Sequence, residues 1–556
     1  MCGLVGTIRG GADKILSVLH KLQYRGYDSF GVALADSGSM ICQKELGGVR
    51  NLDLKMGQVG IGHTRWATNG KVCIENAHPI THGDIAVVQN GIIENYASIR
   101  IKCNDFAWST DTDTECILAL LAGKKLDLKV LEWLLEQLEG EFAFLLLDCK
   151  TESIYFGKKG SNPILIDVEN KLIASDVSAF SCKKVIEVGN NQFGRLSATG
   201  LELSSEEISC RECCQDHFDL SKTHDSWFES EFFGQATLLE ASHKRYIGTK
   251  FPIVKQMDII GCGSAYLAGK IGEWWFDLLT DVKARAHFSS EFRGKHSECL
   301  VAISQSGETS DTIKAISKST AELKIGVINA MGSTMCNYVD KIIATKAGKE
   351  ISVASTKSTT SQMLAMLAWA CYVRDAEGEK LDGYASGAEI FEGASNAIKT
   401  MLQFTEGILT QISQIDPLRH VFILGSGGLL PIAMETALKI KELSYIHAEA
   451  ISCSEMKHGP IAMIDEEVLV ICFCPKWEPI IDELISRGAN IVVLTEAKLS
   501  PEATSEIKLV QMPEIPELYA PFLYILAGQW LANAWGKKIG NQIDMPRNLA
   551  KAVTVA

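Results

Sequence analysis

The residue best suited to nucleophilic chemistry is Cys2, which directly follows the initiator methionine. Removal of Met1 would leave Cys2 with a thiol and a free α-amino group. Such an amine has a pKa of about 7.7–8.0, so part of it is neutral near pH 7 and can accept a proton. One residue could then supply both nucleophile and base. The alternative is an ordinary second residue, and position alone does not decide between them.

Three further features could hold an amino-acid substrate. Arg65 could bind a carboxylate in bidentate fashion, and Asp113 could pair with an ammonium group. Asn90 and Gly91 end an apolar stretch, where a side-chain amide and a backbone N–H could stabilise an oxyanion. Taken singly, each also has a structural explanation: a surface ion pair for Arg65, a helix cap for Asp113 and a plain turn for the Asn-Gly pair.

These residues belong to motifs that resemble the N-terminal-nucleophile glutamine amidotransferases. The motifs are Cys2-Gly3 with Val5-Gly6, and residues 25–29, 63–68, 90–95 and 112–115. The resemblance implies a four-layer α/β/β/α domain over residues 1–222. It also implies the following roles: Cys2 as nucleophile, Asn90 and Gly91 as oxyanion hole, and glutamine binding by Arg65, Trp66, Thr68, Gly91 and Asp113. Asn69 departs from the family, where a histidine is usual, and this affects one glutamine-side contact.

A second candidate site lies in residues 304–309, Ser-Gln-Ser-Gly-Glu-Thr, between a predicted strand and a predicted helix. Hydroxyls and backbone N–H groups at a helix N-terminus suit a phosphate. The alternative is a capped loop that binds nothing. Residues 261–264, Gly-Cys-Gly-Ser, give a weaker signal of the same kind. They are not a dinucleotide fingerprint, because Gly269 has the wrong spacing.

Three charged residues, Glu435, Lys439 and Glu442, share one face of a predicted helix. They are either an exposed salt-bridged stripe or a carboxylate that moves protons beside a lysine. His458 precedes a Gly-Pro turn, and Lys551 lies in the C-terminal tail. A loop histidine and a tail lysine are ordinarily structural or solvated.

This second set resembles the tandem sugar isomerase (SIS) domain family. The motifs are residues 304–309, 353–357, 442–449, 457–460 and 546–555. The resemblance implies a sugar-phosphate site that contains Cys262, Gly263, Ser264, Ser304, Gln305, Ser306, Thr309, Val353, Ala354 and Ser355. It implies ring opening by His458 of a neighbouring subunit, a Schiff base on Lys551, and proton transfer by Glu442 with Glu435 and Lys439 in the same catalytic group. Ser264-Ala265 replaces the usual Thr-Ser and removes one hydroxyl, and Ala556 replaces the usual terminal glutamate.

The periodicity of the chain predicts how these residues are positioned. Residues 1–222 are rich in short strands with few helices, which indicates layered sheets. Residues 245–400 and 401–540 repeat a strand, glycine loop and helix, which predicts two doubly wound parallel-sheet α/β domains. We interpret residues 223–244 as a linker and 541–556 as a tail. The apolar run at 522–535 predicts a buried helix, because it is too short to cross a membrane.

Composition disfavours several classes of protein. The net charge of −14 disfavours non-specific binding of nucleic acid. The 17 cysteines are odd in number and scattered, which favours reduced thiols and a cytoplasmic location. No signal peptide or membrane segment is predicted. The sequence predicts neither a cofactor nor a metal, and the alternative zinc site would use Cys210, Cys213, Cys214, His217 and His224.

Taken together, the two resemblances cover nearly the whole chain. They imply an enzyme, expected as a homodimer, that makes glucosamine 6-phosphate and glutamate from fructose 6-phosphate and glutamine, as the first step of the hexosamine and UDP-N-acetylglucosamine pathway. One alternative is a sugar-phosphate isomerase or deaminase with an inert amidotransferase half. Another is a non-catalytic sugar-phosphate sensor. Cys2, Arg65, Asn90 and Asp113 argue against the former, and Glu442, His458 and Lys551 against the latter.

Overall fold

The computed structural model describes residues 2–54, 57–67, 69–160, 162–213, 222–246, 248–294, 297–378, 386–403, 405–498 and 507–553. The chain divides into two compact units. The first is Met1–His217 with the short segments Glu308–Ser310 and Ala550–Ala556, and the second is Phe218–Gly307 with Asp311–Leu549.

The first unit is built on two antiparallel sheets. Its strands are β1 (Gly3–Thr7), β2 (Ser29–Asp36), β3 (Ser39–Leu46), β4 (Val59–Arg65), β5 (Ile80–His82), β6 (Ile85–Ile93), β7 (Gly140–Asp148), β8 (Ser153–Lys159), β9 (Leu165–Asp167), β10 (Leu172–Ala174), β11 (Lys184–Glu187), β12 (Phe193–Ser197), β13 (Gly200–Leu203) and β14 (Ser209–Glu212). Its helices are α1 (Gly11–Leu22), α2 (Tyr96–Lys102), α3 (Glu115–Leu121) and α4 (Leu128–Gln137). The strand orders are β14-β11-β9-β10-β1-β4-β2-β3 and β13-β12-β8-β7-β6-β5.

Alternating side chains on these strands produce four layers. Leu4 of β1 and Leu145 of β7 are buried between the two sheets. The next residue on each strand points the other way, as strand geometry requires. Val5 packs under α1, and Leu146 packs under α3 and α4. The predicted α/β/β/α architecture is therefore confirmed.

The chain after residue 222 forms two parallel sheets with flanking helices. The strands are β15 (Gln256–Gly261), β16 (Lys283–Phe288), β17 (Cys299–Ser304), β18 (Leu323–Ile328), β19 (Lys341–Ala344), β20 (His420–Gly425), β21 (His447–Ser452), β22 (Val468–Phe473), β23 (Asn490–Thr495) and β24 (Lys508–Gln511). The helices are α5 (Trp227–Phe233), α6 (Gln235–Tyr246), α7 (Ser264–Leu279), α8 (Ser310–Lys318), α9 (Lys357–Glu377), α10 (Gly387–Gln403), α11 (Thr405–Ser413), α12 (Leu429–Ser444), α13 (Pro479–Ile485) and α14 (Ala520–Ile539).

The two parallel sheets have the same topology. Their strand orders are β16-β15-β17-β18-β19 and β21-β20-β22-β23-β24. In each, the first strand along the chain lies between the second and the third, so the direction of winding reverses beside it. Ligands of open parallel sheets bind at the carboxyl ends of the strands beside such a reversal. In the first sheet that position joins the loops after β15 and β17, which carry residues 261–264 and 304–309.

The segment predicted as a linker, 223–244, contains α5 and most of α6, and Phe228 and Phe232 lie in the core of the second unit. The sequence predicts no helix there, because aromatic and acidic residues alternate around α5 without a single apolar face. The predicted helix at 522–535 is confirmed as part of α14. None of the helices in the described part of the chain has both the length and the apolar composition that a membrane crossing requires.

Candidate functional sites

Cys2 lies at the start of β1, beside the end of β4. The backbone N–H of Trp66 donates a hydrogen bond to Sγ of Cys2 at 3.2 Å, and the side chain of Cys2 is 9% exposed. The next residue, Gly3, donates its N–H to Oγ1 of Thr64 at 2.9 Å. A Cβ atom at Gly3 would lie 2.7 Å from Leu22 and from Thr64, so only glycine fits beside the cysteine.

Asn90 and Gly91 approach Cys2 from the second sheet. Nδ2 of Asn90 donates to the carbonyl oxygen of Cys2 at 3.0 Å. The sequence suggested that this pair ends a strand, or forms a plain turn. Instead β6 continues to Ile93, and Gly91 pairs with Phe142 of β7. Gly91 has a φ of +93°, and a Cβ there would lie 2.1 Å from the carbonyl oxygen of Glu141. Glycine is therefore required for both conformation and space.

Arg65 is buried at the end of β4, with 3% of its surface exposed. Its guanidinium donates to the carbonyl oxygens of Asn69, Gly70 and Lys71. Burial lowers its pKa, while the nearby Cys2 thiol and acidic groups oppose that shift. The alternative of a surface ion pair is wrong, because the cation lies inside the unit with its donors turned toward one loop.

Asp113 is also buried, with 3% exposed. Its Oδ2 accepts a hydrogen bond from the N–H of Ile93 at 2.7 Å. Burial raises its pKa, and hydrogen bonds from backbone N–H groups and from the side chain of Asn69 limit that rise. Asn69, the departure from the family pattern, therefore contacts the carboxylate proposed to bind the substrate amine. Trp66 is half-buried, and Thr68 lies outside the described residues.

The two loops of the first parallel sheet lie at the reversal of winding. Oγ of Ser304 accepts a hydrogen bond from the N–H of Gly307 at 2.9 Å. Gly307 has a φ of +62°, and a Cβ there would lie 1.9 Å from Oγ of Ser333. Gln305 and Ser306 are half-buried beside it, while Thr309 belongs to the first unit.

The neighbouring loop after β15 carries Cys262, Gly263 and Ser264. Gly263 is exposed with a φ of +54°, and Ser264 opens α7. Sγ of Cys262 lies 3.7 Å from Oγ1 of Thr312 on α8. This contact brings the loop after β15 against the helix that follows β17, as the topology requires.

The predicted residues before α9 are packed tightly. Val353 and Ala354 are buried, and the N–H of Val353 donates to the carbonyl oxygen of Asp544 at 3.0 Å. The hydroxyl of Ser355 donates to Oε2 of Glu350 at 3.1 Å. Glu350 is itself buried, so this loop is held by a charged acceptor.

The charged face of α12 is buried, and the alternative of an exposed stripe is wrong. Nζ of Lys439 lies 3.3 Å from Oε1 of Glu435 and 2.6 Å from Oε2 of Glu442. The side chains of Glu435 and Lys439 are each 1% exposed, and that of Glu442 is 19% exposed. Ser264 donates its hydroxyl to Oε1 of Glu435 at 2.9 Å. A hydrogen-bonded chain therefore runs from the loop after β15 to the half-buried Glu442.

The electrostatics of this hydrogen-bonded group of charged side chains favour proton exchange. Burial raises the pKa of Glu435 to about 7, against the opposing effect of Lys439. Burial alone would lower the pKa of Lys439, but Glu435 and Glu442 outweigh it and raise that pKa. A carboxyl group that titrates near neutral pH can both accept and release a proton.

The last two predicted residues, His458 and Lys551, do not belong to this buried group of charged side chains. His458 is exposed at the end of a short 3₁₀ helix, Glu455–His458. Lys551 is half-buried and belongs to the first unit, where its N–H donates to the carbonyl oxygen of Tyr24 at 3.4 Å.

No cluster of three or more metal-ligating side chains occurs among the described residues. Of the alternative zinc set, Cys210 is exposed and Cys213 is buried, while Cys214 and His217 lie outside the described residues.

Sequence reasoning assigned no role to His63, although it belongs to one of the motifs. Its Nε2 lies 3.1 Å from Oδ1 of Asn90. The signal that could have indicated it is a histidine directly after the apolar and glycine-rich first half of β4, residues 59–62.

Two family models match the chain. The SIS domain matches residues 253–372 and 414–529, and the glutamine amidotransferase domain matches residues 63–181. These ranges fall on the two parallel sheets and on the unit that contains Cys2.

Curated relatives match over their whole length. The glutamine–fructose-6-phosphate aminotransferase [isomerizing] of Brucella abortus biovar 1 (strain 9-941) is 32% identical over 608 residues, covering 100% of both chains. The protein of the same name from Aquifex aeolicus (strain VF5) is 33% identical over 604 residues, again covering 100% of both. The chain belongs to the glutamine–fructose-6-phosphate aminotransferase family.

A solved structure agrees with this aminotransferase fold. The C-terminal domain of glucosamine-fructose-6-phosphate aminotransferase from Francisella tularensis aligns with a TM-score of 0.52 and 24% identity. The alignment covers 58% of this chain and 99% of that one. The tandem parallel-sheet fold of the aminotransferase family is therefore present here.

Proposed function

We propose that this chain transfers ammonia from the side-chain amide of glutamine to fructose 6-phosphate and isomerises the product to glucosamine 6-phosphate, releasing glutamate. The observation that carries the proposal is that one chain contains two sites in which the functional side chains are held by hydrogen bonds and ion pairs. One is Cys2 with the Trp66 N–H and the Asn90 amide. The other is the buried Glu435–Lys439–Glu442 chain.

In the glutaminase half, the Cys2 sulfur attacks the side-chain amide carbon of glutamine. A C–S bond forms, and the carbonyl electron pair moves to oxygen, where Nδ2 of Asn90 and the N–H of Gly91 stabilise the charge. The α-amino group of Cys2 takes the thiol proton and returns it to the leaving nitrogen, so ammonia departs. Water then cleaves the thioester to give glutamate and the free thiol.

Buried charge supports the glutamine-binding assignment. The substrate carboxylate would bind Arg65 in place of some of its loop carbonyl partners, and the substrate ammonium would bind Asp113. Trp66 would close over the bound substrate, and Thr68 is assigned to glutamine binding by the family resemblance. Because Arg65 and Asp113 are both largely removed from water, each charge interacts strongly with a partner of opposite sign.

In the isomerase half, we propose that the phosphate binds residues 304–309 and that the sugar lies against Cys262, Gly263, Ser264 and residues 353–355. His458 of a neighbouring subunit of a homodimer opens the ring. Nζ of Lys551 forms an imine at C2 with loss of water, and ammonia displaces the lysine. Glu442 then moves a proton from C1 to C2, assisted by Lys439, which lies 2.6 Å from its Oε2 and also contacts Glu435.

The domain assignment and the cellular context are part of the same proposal. The glutaminase comprises residues 1–222, the SIS domains 245–400 and 401–540, and the tail 541–556. The many scattered cysteines favour a reducing compartment such as the cytoplasm. No cofactor is needed for the steps above.

The deciding experiment compares nitrogen sources. Purified protein is incubated with fructose 6-phosphate and either glutamine or ammonium, and glucosamine 6-phosphate is quantified. We expect synthesis with glutamine, and we expect Cys2→Ala to abolish it while ammonium still supports some synthesis. If the unmutated protein makes glucosamine 6-phosphate from ammonium but not from glutamine, the result would instead favour an isomerase with an inert amidotransferase half. No synthesis from either source would favour a sugar-phosphate sensor.

Intact mass measurement is the necessary control. The chemistry requires that Met1 be removed, because an acylated Cys2 nitrogen cannot accept a proton. A preparation that retains Met1 should make no glucosamine 6-phosphate from glutamine but should still make it from ammonium.

A further inference from the structure

The ring of His63 is completely buried on β4, between the two sheets of the first unit. Its relative exposure is 0%. Nε2 lies 3.0 Å from the carbonyl oxygen of Gln89 and 3.1 Å from Oδ1 of Asn90. Both partners are acceptors, so Nε2 must carry the hydrogen. Burial lowers the pKa of His63 to about 3, and the ring is neutral at physiological pH.

This hydrogen bond fixes which way the amide of Asn90 faces. With Oδ1 held by His63, Nδ2 is directed to Cys2, where it donates to the backbone carbonyl at 3.0 Å. Rotating the amide by half a turn would place Nδ2 against the Nε2–H of His63. It would also place Oδ1 against the Cys2 carbonyl. Two favourable contacts would become two repulsive ones.

We propose that His63 is a positioning residue of the glutaminase, which holds the Asn90 amide with its N–H groups toward the oxyanion. The inference rests on the proposed function, because an oxyanion forms beside Asn90 only if Cys2 attacks glutamine. His63 itself does not exchange a proton in the reaction. Its Nε2–H is already donated, and its Nδ1 is buried with no hydrogen-bond partner among the described residues.

The first test compares two substitutions of similar size. His63→Leu fills the space but donates nothing, whereas the terminal amide of His63→Gln can donate from nearly the position of Nε2. We expect the glutaminase kcat of H63L to fall about 100-fold, as when an oxyanion donor is lost, with KM changed by less than about threefold. H63Q should retain kcat within about tenfold. Equal kcat values in H63L and the unmutated protein would overturn the inference.

A second readout separates positioning from general damage. Alkylation of Cys2 by iodoacetamide displaces iodide at a saturated carbon and creates no oxyanion. Its rate in H63L should therefore match that of the unmutated protein. A parallel loss of alkylation and turnover would show that the substitution disturbs Cys2 itself, and would reject the positioning role. If H63L does not fold, His63→Asn, whose amide is too short to reach Asn90, makes the same comparison.

The third test is a double-mutant cycle with Asn90→Ala. If His63 acts through Asn90, adding H63L to N90A should lower kcat by less than about threefold further. Full multiplication of the two losses would contradict the inference. Failure of the proposed function is recognised separately. In that case the unmutated protein, with Met1 removed, would release no glutamate from glutamine. The proposed role of His63 would then be rejected as well.

Discussion

The hydroxyl of Ser264 donates a hydrogen bond to Oε1 of Glu435, and this bond joins the loop after β15 to the buried face of α12. The two residues lie 171 positions apart in the chain. They therefore couple the first SIS domain, where we place the sugar phosphate, to the charged chain in the second SIS domain, where we place proton transfer.

Loss of this bond should weaken the isomerase half. We expect Ser264→Ala to lower ammonium-dependent synthesis about tenfold and to cost about 1.5–3 kcal/mol of stability, because Glu435 loses its only neutral donor among the described contacts. Ser264→Thr retains the hydroxyl and is the matched control. The rate of ammonium-dependent synthesis measures the effect, and an unchanged rate of glutamine hydrolysis shows that the glutaminase half is intact. Equal losses in both variants would mean that the hydroxyl is not responsible.

The oxyanion hole makes a prediction at Gly91. We expect Gly91→Ala to reduce glutaminase kcat by about 100-fold or more, because the new Cβ would lie 2.1 Å from the Glu141 carbonyl and displace the backbone N–H. Gly83→Ala is the control, since Gly83 also has a positive φ, of +57°, but a Cβ added there would have no atom within 4 Å. Its activity should be nearly unchanged. A comparable loss in both variants would assign the effect to backbone strain alone.

The layered fold was predictable because strand periodicity and short motifs are local signals, and the same motifs singled out Cys2, Arg65 and Asp113 as candidates. The sequence did not predict the contacts of Ser264 with Glu435 and of His63 with Asn90, because pairing across a fold leaves no local pattern.

The same limit explains the linker. The helices α5 and α6 are tied to α14 by hydrogen bonds from Gln235 to Gln529 and from Asn533 to Glu229, across about 300 positions. The polar residues that looked out of place in the apolar run at 522–535 are the partners of these helices. No residue of α5 is exposed, so this helix lacks the amphipathic period by which a surface helix is recognised.

Lys439 should be indispensable to the charged chain. Lys439→Met would leave Glu435 and Glu442 together without a cation, and removing one partner of a buried ion pair costs about 3–5 kcal/mol. We expect loss of ammonium-dependent synthesis and a lower unfolding temperature. The control is Lys441→Met, on the same helix but exposed, which should change stability by less than about 0.5 kcal/mol. Similar unfolding temperatures for the two variants would contradict the buried arrangement.

The raised pKa of Glu435 predicts a pH dependence of stability. Its pKa rises from 4.5 to about 7 on folding, so the folded state holds a proton that the unfolded state has released between these values. Stability from this group is therefore complete below about pH 4.5 and is lost as the pH rises through 7. Glu435→Gln should remove this dependence. Unfolding temperatures of both proteins between pH 5 and pH 8 provide the test, and parallel curves would reject the shifted ionisation.

Lys551 provides the test of imine chemistry. We expect Lys551→Arg to abolish synthesis from both glutamine and ammonium, because a guanidinium keeps the positive charge but cannot form an imine with the ketone at C2. Glutamine hydrolysis should continue, since no glutaminase step uses this residue. The exposed Lys538→Arg is the control and should leave synthesis unchanged. Trapping with borohydride and fructose 6-phosphate, followed by peptide mass measurement, should locate the adduct on Lys551. Normal turnover by the arginine variant, or an adduct on another lysine, would rule out the assignment.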